Sequence, residues 1–219
     1  MSAGSSTDKK TGFLCTACEH HAVSCESRTR FVRVKTLDEL QKVMIECCLG
    51  KLVVPFYFHR LFNPLCTMSW RPTIALAFAE LQCLGLITTY SQLESYDAVT
   101  NRFEKPCISG LMSERLAQQL VDHANASPDL VAFITRQSGN MESLAISGDS
   151  KQQHYSWCNP CLADEEADLF APWCPAIYSI VKKHQLVSVT VIGTNFMRPS
   201  GTMLETVLLM MRKIIRQQT

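Results

Sequence analysis

The sequence predicts an α+β fold in a single mixed domain, and three observations support that prediction. Hydrophobic residues make up 47% of the chain and charged residues 19%, which is typical of a packed globular protein and excludes a largely disordered one. The chain has 219 residues, which is enough for one good core or two small ones. Residues 186–192, LVSVTVI, have the composition of a strand, and residues 202–216 carry apolar side chains at helical spacing. We therefore expect one domain over residues 13–219, preceded by a flexible tail at 1–12.

The N-terminal part of this domain is predicted to contain a strand, a helix and a second strand. Residues 31–34 are β-branched and aromatic, which is typical of a short strand. Thr36 and Glu39 have the spacing of a capping box, so a helix is expected to begin there and to end at Gly50. A buried strand is expected at 52–58. The apolar side of the helix is expected to comprise Leu37, Leu40, Val43, Met44, Cys47 and Cys48.

The middle of the chain is predicted to contain two more helices around a hairpin. A helix opened by Pro72 is expected to end at Gly85, because proline suits the first helical position and glycine the residue after the last. Residues 86–90 are expected to turn into a hairpin with residues 99–103. A third helix is expected at 113–124, with a serine at its N-cap.

The C-terminal part is predicted to contain two helices before the strand at 186–192. The first would begin at Ser127-Pro128 and continue through residues 130–134, and the second would lie near 175–184. Residues 137–153 are rich in Gly, Ser and Asn and contain at most one short strand. This segment is therefore the best candidate for a boundary or a mobile loop.

Cysteine and histidine residues are grouped in two polar parts of the chain. The first group contains a C-x-x-C pair, in which two thiolates can reach one ion, a common half of a tetrahedral zinc site. A local site would be completed by Cys25 and one histidine, either His20 or His21. The sequence therefore predicts a first zinc site at Cys15, Cys18, His21 and Cys25.

The second group again offers four ligands, at His154, Cys158, Cys161 and Cys174. A third arrangement would join the two C-x-x-C pairs in one four-thiolate site formed by Cys15, Cys18, Cys158 and Cys161. Thiolate and imidazole ligands select zinc over hard cations, so zinc is the expected metal in all three arrangements. The spacing alone does not choose between one shared site and two local ones. Ordinary free thiols are the alternative, as expected for the remaining cysteines, Cys47, Cys48, Cys66, Cys83 and Cys107, among their apolar neighbours.

Residues 157–161, WCNPC, resemble the W-C-x-P-C active site of the thioredoxin family. The resemblance implies that Cys158 is a nucleophilic thiolate at a helix N-terminus, that Cys161 is the resolving thiol, and that Pro199 is a cis-proline. That family leads into its motif from a buried strand, whereas the approach here is GDSKQQHYS. The acidic residues 164–166 would also raise the pKa of a nearby thiol. The sequence therefore favours a metal site over a redox dithiol.

Basic residues are densest beside the first cysteine group, at Arg28, Arg30, Arg33 and Lys35. A phosphate-binding surface has this pattern, and so does a solvated strand face. The net charge of +1 gives no global field for holding a polyanion, so any contact with nucleic acid would depend on this local patch.

These patterns predict a regulatory or adaptor protein and not an enzyme. A closed four-ligand zinc site has no open position for water, and the sequence contains no phosphate-binding glycine motif. We expect the protein to act through another protein, with nucleic acid as a further partner, and a homodimer would form if the last helix exposed an apolar stripe. The alternative is a thiol-disulfide oxidoreductase.

The expected compartment is the cytosol or nucleus. Residues 1–12 are polar and lack the apolar region of a signal peptide, and the apolar stretch at 203–215 is too short to span a bilayer. A reducing compartment keeps eleven cysteines as thiols or metal ligands. The composition would suit an intracellular or viral regulator.

Overall fold

The computed structural model describes residues 13–15, 18–23, 25–52, 72–92, 95–97, 102–136, 144–149, 154–158, 162–194 and 202–218. The strands within these ranges are β1 (Phe13–Cys15), β2 (Cys18–Val23), β3 (Ile87–Gln92), β4 (Ser95–Asp97), β5 (Arg102–Glu104), β6 (Cys107–Ser113), β7 (Leu130–Thr135), β8 (Leu144–Asp149), β9 (His154–Cys158) and β10 (Leu186–Gly193). The helices are α1 (Cys25–Arg33), α2 (Leu37–Cys48), α3 (Pro72–Cys83), α4 (Glu114–Asn125), α5 (Ala163–Phe170), α6 (Ile177–Lys183) and α7 (Thr202–Arg216). The predicted α+β class is confirmed.

The main sheet has four antiparallel strands in the order β3-β6-β10-β7. β10 lies inside the sheet, where Val189 is opposite Gly110 of β6 and Ile134 of β7. All but one of its residues are buried, which suits its β-branched sequence because such side chains pack well on a pleated surface.

Gly110 permits the close approach of β3 to β6. A Cβ atom at this position would lie 2.3 Å from the carbonyl oxygen of Ile87, which is backbone and cannot move aside easily. The register of the two strands shifts between Thr88 and Tyr90, next to this contact. Only glycine therefore fits at this point of the ladder.

Helices pack on both faces of the main sheet. Side chains at even and odd positions of a strand point to opposite faces, so Ser188 and Gly193 of β10 lie on different faces of the main sheet. Ser188 donates a hydrogen bond to Glu166 of α5, which places α5 on one face. A Cβ atom at Gly193 would lie 3.6 Å from Sδ of Met203, which places the start of α7 on the other face. α3 and α4 pack against α7, and α6 packs against α5.

Two smaller sheets complete the described structure. β4, β5, β8 and β9 form an antiparallel sheet in that order, and β1 and β2 form a hairpin. These sheets contain most of the predicted zinc ligands.

Several predicted elements are confirmed. Thr36 and Glu39 form the capping box of α2: Thr36 Oγ1 accepts a hydrogen bond from the Glu39 amide at 3.3 Å, and Glu39 Oε2 accepts one from the Thr36 amide at 3.1 Å. Gly50 and Gly85 have positive φ angles of 68° and 99°, as expected at helix ends. α3, α4, α6, α7 and β10 also lie where the sequence predicts them, and five of the six predicted apolar residues of α2 are buried, Leu40, Val43, Met44, Cys47 and Cys48.

Two predicted element types are wrong. Residues 31–34 are not a strand, because α1 covers most of them; Ser27 and Phe31, one helical turn apart, are both fully buried. Residues 130–135 form strand β7 and not a helix. Leu130 and Ala132 are buried while Val131 is 42% exposed, which is the two-residue period of a strand.

The predicted hairpin between residues 86–90 and 99–103 is also wrong. β3 pairs with β6, so that Ile87 is opposite Leu111, while β4 pairs with β5 in the other sheet. Cys83 is exposed, whereas we expected it to be packed among apolar neighbours.

Three further predictions lie outside the described residues in whole or in part. These are the tail at 1–12, the strand at 52–58 beyond Leu52, and the loop at 137–153 apart from β8.

Candidate metal centre

The first cysteine pair lies where hairpin β1–β2 reverses direction. Cys15 ends β1, Cys18 begins β2, and the two are register partners in the antiparallel ladder. Directly opposed residues of such a ladder have Cα atoms about 4.5–5.5 Å apart. Two thiolates on one tetrahedral zinc ion lie about 3.8 Å apart, since each Zn–S bond is near 2.3 Å. The backbone therefore holds this pair at a spacing that suits binding to one ion.

The other predicted ligands of the first group lie further along the chain. His21 is within β2, and Cys25 is the first residue of α1. The pairing of β2 with β1 is irregular: Leu14 is opposite Ala22, whereas the next residue, Cys15, is opposite Cys18. Residues 19–21, which include His21, therefore have no partner on β1 in the described pairing.

The second cysteine pair also begins at the end of a strand. Cys158 is the last residue of β9, opposite Leu144 of β8, while Cys161 lies outside the described residues. His154 is the first residue of β9, and an extended chain separates the Cα atoms of His154 and Cys158 by about 13 Å. A Cys and a His that bind the same zinc ion have Cα atoms within roughly 10 Å. The strand therefore disfavours a site that contains both residues.

Cys174 lies in the hydrophobic core, after the end of α5. It is fully buried, and its amide donates a hydrogen bond to the Phe170 carbonyl oxygen at 2.7 Å. Burial raises the pKa of the Cys174 thiol. Where side chains are described, no group of three or more His, Cys, Asp or Glu residues could hold a metal ion. This environment favours a packing role for Cys174.

The predicted basic patch is carried by a helix. Arg28, Arg30 and Arg33 lie on α1, and Lys35 follows its end. All four residues are exposed, but Arg30 is held by Glu46 of α2, with Nη2 at 2.6 Å from both carboxylate oxygens. The Glu46 carboxylate therefore neutralises part of this basic patch.

The surroundings of Cys158 differ from those of a thioredoxin active site. A strand, β9, does lead into the motif, but it belongs to a wholly antiparallel sheet. α5 begins at Ala163, five residues after Cys158, and its first turn carries Asp164, Glu165 and Glu166. A helix lowers a thiol pKa only within its first turn, and acidic residues oppose that effect. These features do not favour Cys158 as an activated nucleophile.

One buried ionisable residue was missed by sequence reasoning. Glu166 is 5% exposed, and its carboxyl group accepts a hydrogen bond from Ser188 on the central strand β10. Burial raises the pKa of this carboxyl to about 7. The available signal was helical spacing, because Glu166 lies one turn before Phe170 on the apolar side of α5.

Comparison of the chain with protein-family models and with curated proteins finds no match. Among the helices in the described ranges, none combines the length and the apolar character that crossing a bilayer requires. The site itself is therefore the basis for a functional proposal.

Proposed function

We propose that this chain is a zinc-stabilised regulatory or adaptor protein without catalytic activity, which acts through contacts with another protein. The observation that supports the proposal is the register pairing of Cys15 with Cys18 at the turn of a hairpin. Cys158, the first cysteine of the second C-x-x-C pair, also lies at the end of a strand. In this proposal one zinc ion is bound by four thiolates, those of Cys15, Cys18, Cys158 and Cys161.

Four thiolates fill the tetrahedral coordination of zinc, so no position is left for a reacting water molecule. The ion would instead join the N-terminal hairpin to strand β9, and its binding free energy would add to the free energy of folding. A site of this kind needs reduced cysteines, which is consistent with the cytosol or nucleus. Its role would be to hold a binding surface in shape.

Metal analysis of the purified protein tests this proposal. We expect about one zinc ion per chain, and loss of that ion when any of the four cysteines is replaced by serine. Cys83→Ser is the matched control, because Cys83 is an exposed thiol outside the proposed site. His21→Ala, Cys25→Ser, His154→Ala and Cys174→Ser should retain zinc, whereas two zinc ions per chain would indicate the two local sites. A folded protein that contains no zinc would rule out the proposal.

Metal analysis together with alkylation distinguishes the proposal from the alternative of thiol-disulfide exchange. A redox dithiol would be free of zinc, and Cys158 would react selectively with an alkylating agent near neutral pH. A zinc-bound thiolate would instead become reactive only after the metal is removed by a chelator.

The exposed basic side chains of α1 favour nucleic acid as a second class of partner. Binding through Arg33 and Lys35, which are exposed members of the basic patch, would weaken as salt increases, because contact with phosphates releases counterions. A titration on random duplex and single-stranded DNA at low salt tests this contact, with Arg33→Ala as the variant. If the chain binds neither DNA at low salt, nucleic acid is excluded as a partner and the proposal is limited to a protein partner.

A further inference from the structure

Two leucines are unusually exposed for their size. Leu209 of α7 is 61% exposed and Leu76 of α3 is 59% exposed, the highest values for large apolar side chains in the described parts of the chain. The core side of α7 is formed by other residues, and these are buried: Met203, Leu204, Val207, Leu208, Met211 and Ile214. The two leucines thus lie outside the core that holds the helices in place.

Helices α3 and α7 run in the same direction. The residue Gln218, just after α7, donates a hydrogen bond to Gln119 of α4 at 2.7 Å. Gly85, just after α3, has Leu116 of α4 as its close neighbour, 3.2 Å from an ideal Cβ position. Both helices therefore end against the same part of α4, and they also pack against each other.

An ion pair joins the two helices beside the leucines. Arg212 contacts Glu80 through Nε at 2.5 Å and Nη2 at 2.6 Å. Leu76 and Leu209 each lie one turn before the ion-paired residue of their own helix. Because the helices are parallel, the two leucines fall on the same side of the ion pair and form one exposed apolar face.

The exposed side of α7 carries charges that complement those of an antiparallel copy of the same side. Glu205, Leu209 and Lys213 are all exposed and are spaced by four residues, so they form one stripe along the helix. The acidic residue is at one end, the apolar residue in the middle and the basic residue at the other end. Within the described parts of the chain, neither Glu205 nor Lys213 takes part in an ion pair.

We propose that a second copy of this chain docks on this face, with the two α7 helices antiparallel about a two-fold axis at Leu209. In that arrangement Glu205 lies opposite Lys213 of the partner subunit, and the symmetry makes the same contact twice. Leu209 meets its own copy, and Leu76 extends the apolar contact on either side. This inference is independent of the zinc proposal, because none of its residues is a predicted ligand.

Two leucines from each copy form a small apolar centre, so the association is weak and lies in the micromolar range. Sedimentation equilibrium of the full chain over a range of concentrations should show reversible dimer formation. Leu209→Asp should be monomeric, since it places two carboxylates at the axis. Val32→Asp is the matched control: Val32 is also a helical side chain that is 43% exposed, but it lies on α1. This control should dimerise as the native chain does.

A charge exchange on α7 provides the sharper test. Glu205→Lys and Lys213→Glu should each weaken the dimer about tenfold, because each places like charges opposite each other twice. The double variant should recover the native dissociation constant. Both changes oppose the dipole of α7, so the double variant should have the lowest melting temperature of the set. Recovered association in that variant therefore cannot come from a more stable fold.

Three results would overturn the proposal. These are a native chain that stays monomeric at high concentration, a dimer that Leu209→Asp leaves intact, and a double variant that associates no better than the single ones.

Discussion

The hydroxyl group of Ser188 donates a hydrogen bond to the carboxyl group of Glu166 at 3.2 Å, and both residues are almost completely buried. The contact joins α5 to the central strand β10. In the described parts of the chain no Lys, Arg or His forms an ion pair with Glu166. A buried carboxyl without a counter-ion is more stable protonated, and burial raises its pKa to about 7.

This contact should make stability depend on pH. The carboxyl ionises near 4.5 in the unfolded chain and near 7 in the folded one, so the fold binds the proton more tightly. Its contribution is complete below pH 4.5 and is lost as the pH rises through 7, by about 3 kcal/mol in total. Glu166→Gln should remove this loss and be more stable than the native chain at pH 8, but not at pH 4.5, in urea unfolding.

Asp164→Asn is the control for this experiment, since Asp164 is an exposed carboxylate on the same helix and is not among the groups that shift the pKa of Glu166. It should follow the native chain at both pH values. A stability difference between Glu166→Gln and the native chain that is the same at pH 4.5 and pH 8 would contradict the assignment.

Removing the N-cap of α2 should lower stability. Thr36→Ala deletes the hydroxyl group that accepts the Glu39 amide, which leaves a backbone donor at the helix start unpaired. We expect a loss of about 1 kcal/mol in the free energy of unfolding. Thr36→Ser keeps the hydroxyl group and should remain within experimental error of the native chain. Equal losses of unfolding free energy in the two variants would show that the hydroxyl group does not account for the loss.

Alanine substitutions at two glycines should lower the free energy of unfolding by different amounts. Gly110→Ala forces a Cβ atom against the backbone of β3 and should cost more than about 3 kcal/mol, or prevent folding. Gly85→Ala meets only a flexible leucine side chain but adopts a φ angle of 99°, so roughly 1–2 kcal/mol is expected. Urea unfolding measures both. A Gly110→Ala protein as stable as Gly85→Ala would mean that β3 and β6 are not this close.

The described cysteines should differ in their reactivity with iodoacetamide. Cys83 is exposed and should be labelled in the native protein, whereas burial protects Cys47, Cys48, Cys107 and Cys174. Burial also raises the pKa of Cys48 to about 12, which leaves little thiolate at neutral pH. Peptide mapping by mass spectrometry gives the labelled positions.

The proposed zinc ligands add a second step to the labelling experiment. Cys15, Cys18, Cys158 and Cys161 should be unreactive until a chelator is added, and then react together. Denatured protein, in which all eleven cysteines are accessible, is the control for labelling efficiency. Labelling of these four positions before chelation would contradict the zinc site.

Local patterns predict part of this fold. The capping box of Thr36 and Glu39, the apolar period of α7 and the β-branched run of β10 are each complete within a short segment, and all three elements form where predicted. Residues 130–135 were predicted wrongly because Ser127-Pro128 is typical of a helix start. β7 forms there instead because its backbone pairs with β10 more than fifty residues later, which no local pattern reveals.

The candidate site was also predicted only as far as local patterns allow. A C-x-x-C spacing predicts that two thiols are neighbours, and the hairpin register of Cys15 and Cys18 is consistent with it. Whether distant groups share an ion depends on how the strands pack, and the strands β2 and β9 at the two cysteine groups were not predicted. Glu166 was missed for a related reason, since its burial depends on the packing of α5 on β10.

The position of β10 between β6 and β7 has a consequence for biosynthesis. β7 leaves the ribosome well before residues 186–193, and within the described sheet β10 is its only neighbour. Until that stretch emerges, β6 and β7 each present an unpaired, aggregation-prone edge. We therefore expect the nascent chain to be bound by holdase chaperones and to gain protease resistance only after β10 has emerged.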